Sequence, residues 1–182
     1  MPLPFPACGD IPPAEVCVPE TLAALGPLLC LHDSADPHLL AGWTRAVRMA
    51  ASVRLDSDGP AESLCFFDAA GRGCWCLQRL PDSDFHAWER LVVTLPITTD
   101  PLAPSRIRWG KRSASPAWRA CALRLHALPG TRGGARLAAA DVSLSPLGQA
   151  CALRLAGAAS ATGLSLPPHR PPRQDRRPVP PL

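Results

Sequence analysis

From Val47 to Leu55 apolar and polar or small residues alternate: Val47, Met49, Ala51, Val53 and Leu55 take the odd positions, and Arg48, Ala50, Ser52 and Arg54 the even ones. A period of two turns one set of side chains to a core, so the stretch predicts a half-buried strand. Asp56-Ser57-Asp58-Gly59-Pro60 supplies turn chemistry, and Glu62 to Phe67 begins a second run suited to a pleated surface. Gly73 to Leu80 forms a third run across Asp68-Ala69-Ala70-Gly71, where the glycine can take the positive φ that closes a short hairpin. These runs predict a three-stranded antiparallel meander. Asp82-Ser83-Asp84 then offers capping oxygens, and Phe85, Trp88, Leu91, Val92 and Leu95 recur at three- and four-residue spacing. That spacing predicts a helix with one face on the sheet.

Ahead of the meander, Glu20 to Leu25 suits a short helix and Leu28 to Leu31 a short strand, while His38 to Met49 fits a helical face as well as a strand until about Val47. Beyond Pro96 the pattern weakens. In Trp118 to Leu128, Cys121, Leu125 and Leu128 stand at roughly helical spacing, confined by Pro116, Pro129 and the glycines between 130 and 134, so at most short elements are expected. The hexapeptide Ala-Cys-Ala-Leu-Arg-Leu occurs at 120–125 and again at 150–155. With no third copy it reads as coincidence in an Ala/Leu/Arg-rich chain. Leu166 to Leu182 holds seven prolines and four arginines and has no apolar period, which predicts disorder or polyproline II. The fold class is therefore α+β. A Pro-rich segment (1–18) precedes an antiparallel β-meander packed on an amphipathic helix (19–96); a partly ordered region (97–165) and a Pro/Arg-rich tail (166–182) follow.

Composition narrows the class. The 182 residues are 47% hydrophobic, enough for one modest core. The longest apolar stretch, Ala23 to Leu31, contains Gly26 and Pro27 and falls far short of the ~20 residues of a membrane span. Met1 to Pro6 lacks a cationic start and an unbroken apolar run, so a cytoplasmic location is expected, and with it eight cysteines kept as thiols. No C-x-x-C pair suggests a zinc site. Residues 1–100 hold six arginines and thirteen acids, whereas residues 101–182 hold thirteen basic residues and two acids. An acidic folded part with a basic tail is one outcome, although the excess of Arg over Lys beside heavy Ala and Pro points to coding bias; no aromatic residue interleaves the tail, and no nucleic-acid partner is expected. There is no G-x-S-x-G elbow, P-loop, H-E-x-x-H or dinucleotide-binding glycine pattern, and no carboxylate pair stands out as acid and base.

The stretch Glu62-Ser-Leu-Cys-Phe-Phe-Asp-Ala-Ala-Gly-Arg72 resembles a strand-turn segment, Ser-Leu-Gln-Phe-Phe-Asp-Ala-x-Gly, of the HemS-like hemin-transport or hemin-degrading proteins of bacterial iron acquisition. Leu80-Pro-Asp-Ser-Asp-Phe-His-Ala-Trp-Glu-Arg-Leu91 is similar to the strand end and Ser-Asp-capped helix with an inward Trp that follow it in that family. Leu25 to Leu31 resembles a Leu-Gly-x-Val-x-x-Leu segment, His38 falls near a Val-His-Glu triplet, and Gly42-Trp43 lies beside a Gly-x-Tyr. The likeness covers about one half-unit of the family, residues 20–96. Leu39 stands where the triplet has Glu, Trp75-Cys76 where the family has His-Lys, and Tyr is absent.

The resemblance implies heme as ligand, with transport during iron acquisition, a homodimer, and a heme receptor or permease as partner. It makes His38 the first candidate for the iron ligand, with His32 in the same region and Arg45 and Arg48 as partners for the propionates. Trp75 and Trp88, with Phe66 or Phe67, have the shape to line a porphyrin slot, while their places in a hairpin and on a helix's inner face suit core equally. His86, in the first turn of the predicted helix, reads as a surface residue, and Asp68 as the acceptor for its own turn. Heme degradation needs a reductant site that nothing here indicates, so a carrier is expected. The alternative is a non-catalytic interaction protein that keeps a degenerate form of this fold and docks through its basic, Pro-rich tail.

Overall fold

A computed structural model of the chain describes residues 18–56, 59–95, 97–98, 118–130, 134–159, 161 and 163–166. The predicted meander is present: β2 (Arg48–Asp56), β3 (Gly59–Phe67) and β4 (Gly73–Arg79) pair antiparallel in chain order. Each hairpin closes on the residues that the sequence marks for it. Gly59 takes φ +119°, and in the second turn Gly71 takes φ +71° while Asp68 Oδ1 accepts the Ala70 and Arg72 amides, both at 2.9 Å. A β-branched residue at either glycine would be strained. Of the alternating apolar positions in β2, Met49 and Ala51 are buried, while Val53 and Leu55 are 37% and 83% exposed, so the strand leaves the core halfway along.

The helix α3 (Phe85–Val92) follows as predicted, with Ala87, Trp88 and Leu91 buried. Asp84 Oδ1 caps it through the Ala87 amide at 2.8 Å. The rest of the capping segment ties the helix to other elements. The Asp84 amide donates to the Leu25 carbonyl at 2.9 Å, and the Ser83 hydroxyl donates to the Pro27 carbonyl at 2.6 Å. The short α1 (Pro19–Ala23) and α2 (Ala41–Arg45) flank β1 (Pro27–Asp33), which slots antiparallel beside β4. The segment His38 to Met49 thus divides: a helical turn first, then strand from Arg48.

The region after residue 96 departs from expectation. Trp118–Pro129 is one twelve-residue strand, β6, laid between β1 and β7 (Ala135–Asp141) with seven paired positions on each side. Its helical spacing is ambiguous because Cys121 and Leu125, four residues apart, share a face in a strand as well as in a helix. The other face carries Trp118, Ala120 and Ala122, all buried. The sheet runs β5 (Ile97–Thr98), β2, β3, β4, β1, β6, β7, and β8 (Gly163–Ser165) pairs with β6 at Arg119 to Cys121. One sheet therefore extends across the boundary expected near residue 96. The hexapeptide at 120–125 belongs to β6, while its copy at 150–155 belongs to the helix α4 (Pro146–Ala158). Ser145 caps α4 through the Gly148 amide at 3.0 Å, and Pro146 pre-sets its first turn, whereas the earlier copy is held by two neighbouring strands. Context decides the conformation of the same six residues.

Both faces of the sheet are covered. On one, α1 with the turn after it, α2 and α3 pack Leu22, Leu25, Trp43 and Trp88 over Leu28, Cys30, Leu64, Phe66, Trp75, Leu77, Leu123 and Leu125. On the other, Ala152, Leu155 and Ala156 of α4 lie on Leu29, Leu31, Cys65, Cys76, Ala120 and Ala122. The run Leu28-Leu29-Cys30-Leu31, buried without a break, marks β1 as a strand covered on both sides. Asp82 joins the two layers: its carboxylate accepts the Ser145 amide at 2.8 Å and the Ser145 hydroxyl at 3.0 Å. The N-terminal segment 1–17 and the tail from residue 167 lie outside the described residues, as do the docking role expected of that tail and Cys8 and Cys17.

Candidate functional site

Register carries the sequence candidates to different places. His32 and Trp75 are direct cross-strand partners, and the row continues through Phe66 to Met49 on one side and to Arg119 on the other. Trp43 of α2 lies over this row, its ring 5.9 Å from that of Phe66 and 6.2 Å from that of Trp75, with Phe66 and Trp75 at 5.0 Å. Trp75 has no exposed surface, so it is core rather than the open wall of a slot, and Trp88 and Phe66 are equally enclosed. Arg48 stands on the other face of β2 from Met49, with its guanidinium over the Phe67 ring at 5.1 Å. It does not share a face with Trp75.

The loop between β1 and α2 presents His38 to solvent one turn ahead of the helix, with its carbonyl accepting the Ala41 amide. Arg45 closes back on the same loop. Both of its terminal nitrogens bond the Asp36 carboxylate, one of them at 2.8 Å, a two-pronged pair that fastens α2 to the loop. A propionate reaching Arg45 therefore competes with Asp36. His86 is exposed in the first turn of α3, and Asp68 is taken up by its own turn and by Arg72.

Two cysteines that carried no assigned role in the sequence meet His32, a candidate ligand, on one face of the sheet. Cys30 of β1 faces Cys121 of β6 directly, and His32, two residues along the same strand face, reaches Cys121 diagonally. Cys30 is fully buried; Cys121 and His32 are half-buried. The His32 ring is set by its Nδ1, 3.2 Å from the Asp33 carbonyl, which leaves the other nitrogen for the Cys121 sulfur when Nδ1 carries the proton. A hydrogen bond from Cys30 and then one from His32 bring the Cys121 thiol down to about 6, against burial and the charge of Asp141. The bond to Cys121 raises His32 in turn, and burial raises Cys30 well above the thiol range. Cys74 shows the ordinary effect of burial, pushed up to about 11.

Between about pH 6 and the raised value of His32, a thiolate and an imidazolium coexist. The contribution of Cys121 to stability is lost as pH falls through about 6, and that of His32 as pH rises through its raised value. Alkylation by iodoacetamide tests the pair: at Cys121 the rate follows thiolate formation with a midpoint near pH 6, well ahead of Cys74, and His32→Ala moves that midpoint upward. A midpoint in the ordinary thiol range, with peptide mapping to assign the adduct, contradicts the pairing.

The signal that finds this group is register, not sequence: nothing before the fold aligns Cys30 with Cys121, or Arg119 with His32. Among the described residues no cluster of three or more His, Cys, Asp or Glu side chains is placed to hold a metal ion, all six cysteines are free, and no helix is long and apolar enough to cross a membrane. No protein-family model matches the chain, and no curated protein or solved structure matches it.

Proposed function

We propose that this protein binds heme and passes it on during iron acquisition, as a carrier and not as a catalyst. The observation that carries the reading is the position of His38. It is an exposed imidazole on the same loop as Asp36, which pairs with Arg45, and that loop leads into the helix whose Trp43 lies against Phe66 and Trp75. Heme iron needs only one or two axial side chains, and an accessible imidazole can supply one. The resemblance to hemin-transport proteins supports the same reading, because the Phe66-Phe67-Asp68 segment forms a strand and turn, and Asp84 caps a helix with an inward Trp88. His32 is already committed to Cys121 and the Asp33 carbonyl, so the iron falls to His38. Arg45 is the propionate partner within the same loop-helix unit; Arg48, on the far face of β2, is a weaker one. A second copy of the chain would close the exposed side of His38, and a heme receptor or permease would supply or take the cargo.

Hemin titration followed at the Soret band tests the proposal. The wild type gives a saturable shift, and His38→Ala weakens it by at least tenfold, the loss of about 1.4 kcal/mol or more of binding energy. No saturable shift in the wild type overturns the carrier reading. A shift kept by His38→Ala and lost in His32→Ala transfers the ligand to His32.

A further inference from the structure

We infer that Cys121 is a site of oxidation by hydroperoxides, and that Cys30 resolves the product into a disulfide across β1 and β6. The inference stands without the heme reading. It rests on three placements. Cys30 and Cys121 are direct partners in an antiparallel ladder. Directly opposed residues have Cα atoms about 4.5–5.5 Å apart, inside the range of about 4.4–6.8 Å that a disulfide spans. Cys121 is open to solvent in part whereas Cys30 is enclosed, which divides the labour between an attacking and a resolving thiol. His32 meets the Cys121 sulfur from the same strand face, its ring oriented by the Asp33 carbonyl.

The chemistry balances in two steps. The Cys121 thiolate attacks one oxygen of ROOH; the S–O bond forms, the O–O bond breaks, and His32 gives its proton to the leaving alkoxide, which departs as ROH. Cys30 then attacks the sulfenic sulfur; the S–S bond forms, the S–O bond breaks, and the hydroxyl leaves as water with the Cys30 proton. Two thiols lose two electrons to the peroxide. An external dithiol returns the pair to its starting state by exchange, so this is a reversible modification and needs no turnover. A lowered Cys121 thiol and a positive His32 favour the first step.

The fold supplies its own control. Cys65 and Cys76 also face each other across strands, with sulfurs 3.4 Å apart, but both are buried under α4, at 4% and 3% exposure, and no histidine figures among the groups acting on them. If proximity of two thiols were sufficient, this pair would oxidise first.

The full chain, fully reduced, is treated with one equivalent of hydrogen peroxide or cumene hydroperoxide, quenched with an alkylating agent and mapped by mass spectrometry. A Cys30–Cys121 disulfide is expected, reversed by dithiothreitol. In Cys30→Ser, dimedone is expected to trap the sulfenic acid on Cys121. His32→Gln is expected to slow the oxidation by at least about tenfold, because the thiolate fraction falls and the proton donor is lost together. The wild-type map stands even where a variant fails to fold. A Cys65–Cys76 bond formed first, bonds between chains only, or equal dimedone labelling of Cys121 and Cys74 overturns the inference.

Discussion

Trp75→Ala lowers the free energy of unfolding by about 3–5 kcal/mol, the cost of removing a fully buried indole from a packed interior. The side chain has no exposed surface and packs against the rings of Phe66 at 5.0 Å and Trp43 at 6.2 Å, in the middle of the row that runs from Met49 to Arg119. Phe66 belongs to β3 and Trp43 to α2, so filling the space requires both rings to repack. A domain of this size has about 5–15 kcal/mol in all, so the variant is left marginal. Urea unfolding followed by far-ultraviolet circular dichroism measures the change. Trp75→Phe, which retains most of the ring, loses much less. The experiment also separates two roles: a core residue takes stability with it, whereas a residue lining an open slot would leave the urea midpoint in place and reduce hemin uptake alone. An unchanged midpoint in Trp75→Ala would contradict the packing described above.

The parts of the fold legible in the sequence are those written in short-range chemistry. Asp68 and Gly71 specify a turn, Asp84 a cap, and Phe85 to Leu91 a helix face, and each does what its neighbours within a few residues require. Strand β6 is masked because Cys121 and Leu125, four apart, satisfy both periods, and its alternation rests on Leu123 between them while alanines at 120 and 122 mark the second face only weakly. Its partner β1 gave a plainer sign, four buried residues in succession, that both sides of the sheet would be covered. The candidate site divides the same way. Alternation along β2 already sets Arg48 on the face opposite Met49, so its separation from Trp75 follows once Met49 pairs with Phe66. Cys30 and Cys121 are 91 residues apart, and their encounter depends on the pairing of β1 with β6, which no local pattern encodes.

Gly42→Ala carries the second large effect, and its sign depends on tertiary contact. In an open helix the change from Gly to Ala is worth up to about 1 kcal/mol of added stability. At Gly42 the new Cβ would collide with the Cys74 carbonyl oxygen and lie 2.9 Å from Trp75 Cβ. The obstruction is the backbone of β4, held on both sides by β3 and β1, so the short helix α2 has to lift off instead. Lifting it loosens Trp43 from Phe66 and Trp75 and breaks the Cys74 thiol's contact with the Gly42 carbonyl at 3.3 Å. Overpacking of this kind costs about 1–3 kcal/mol, and because the obstruction is backbone the upper part of that range applies, so after the helical gain a net loss of up to about 2 kcal/mol remains. Because α2 also carries Arg45 and follows the His38 loop, the carrier proposal predicts that hemin affinity falls with it. Gly157→Ala in α4 is the matched control: nothing lies within 4 Å of its added Cβ, so there the same substitution should raise the urea midpoint. If the two glycines respond with the same sign, α2 does not rest on β4 as closely as the fold requires, and the anchoring of the helix that follows the His38 loop loses its support.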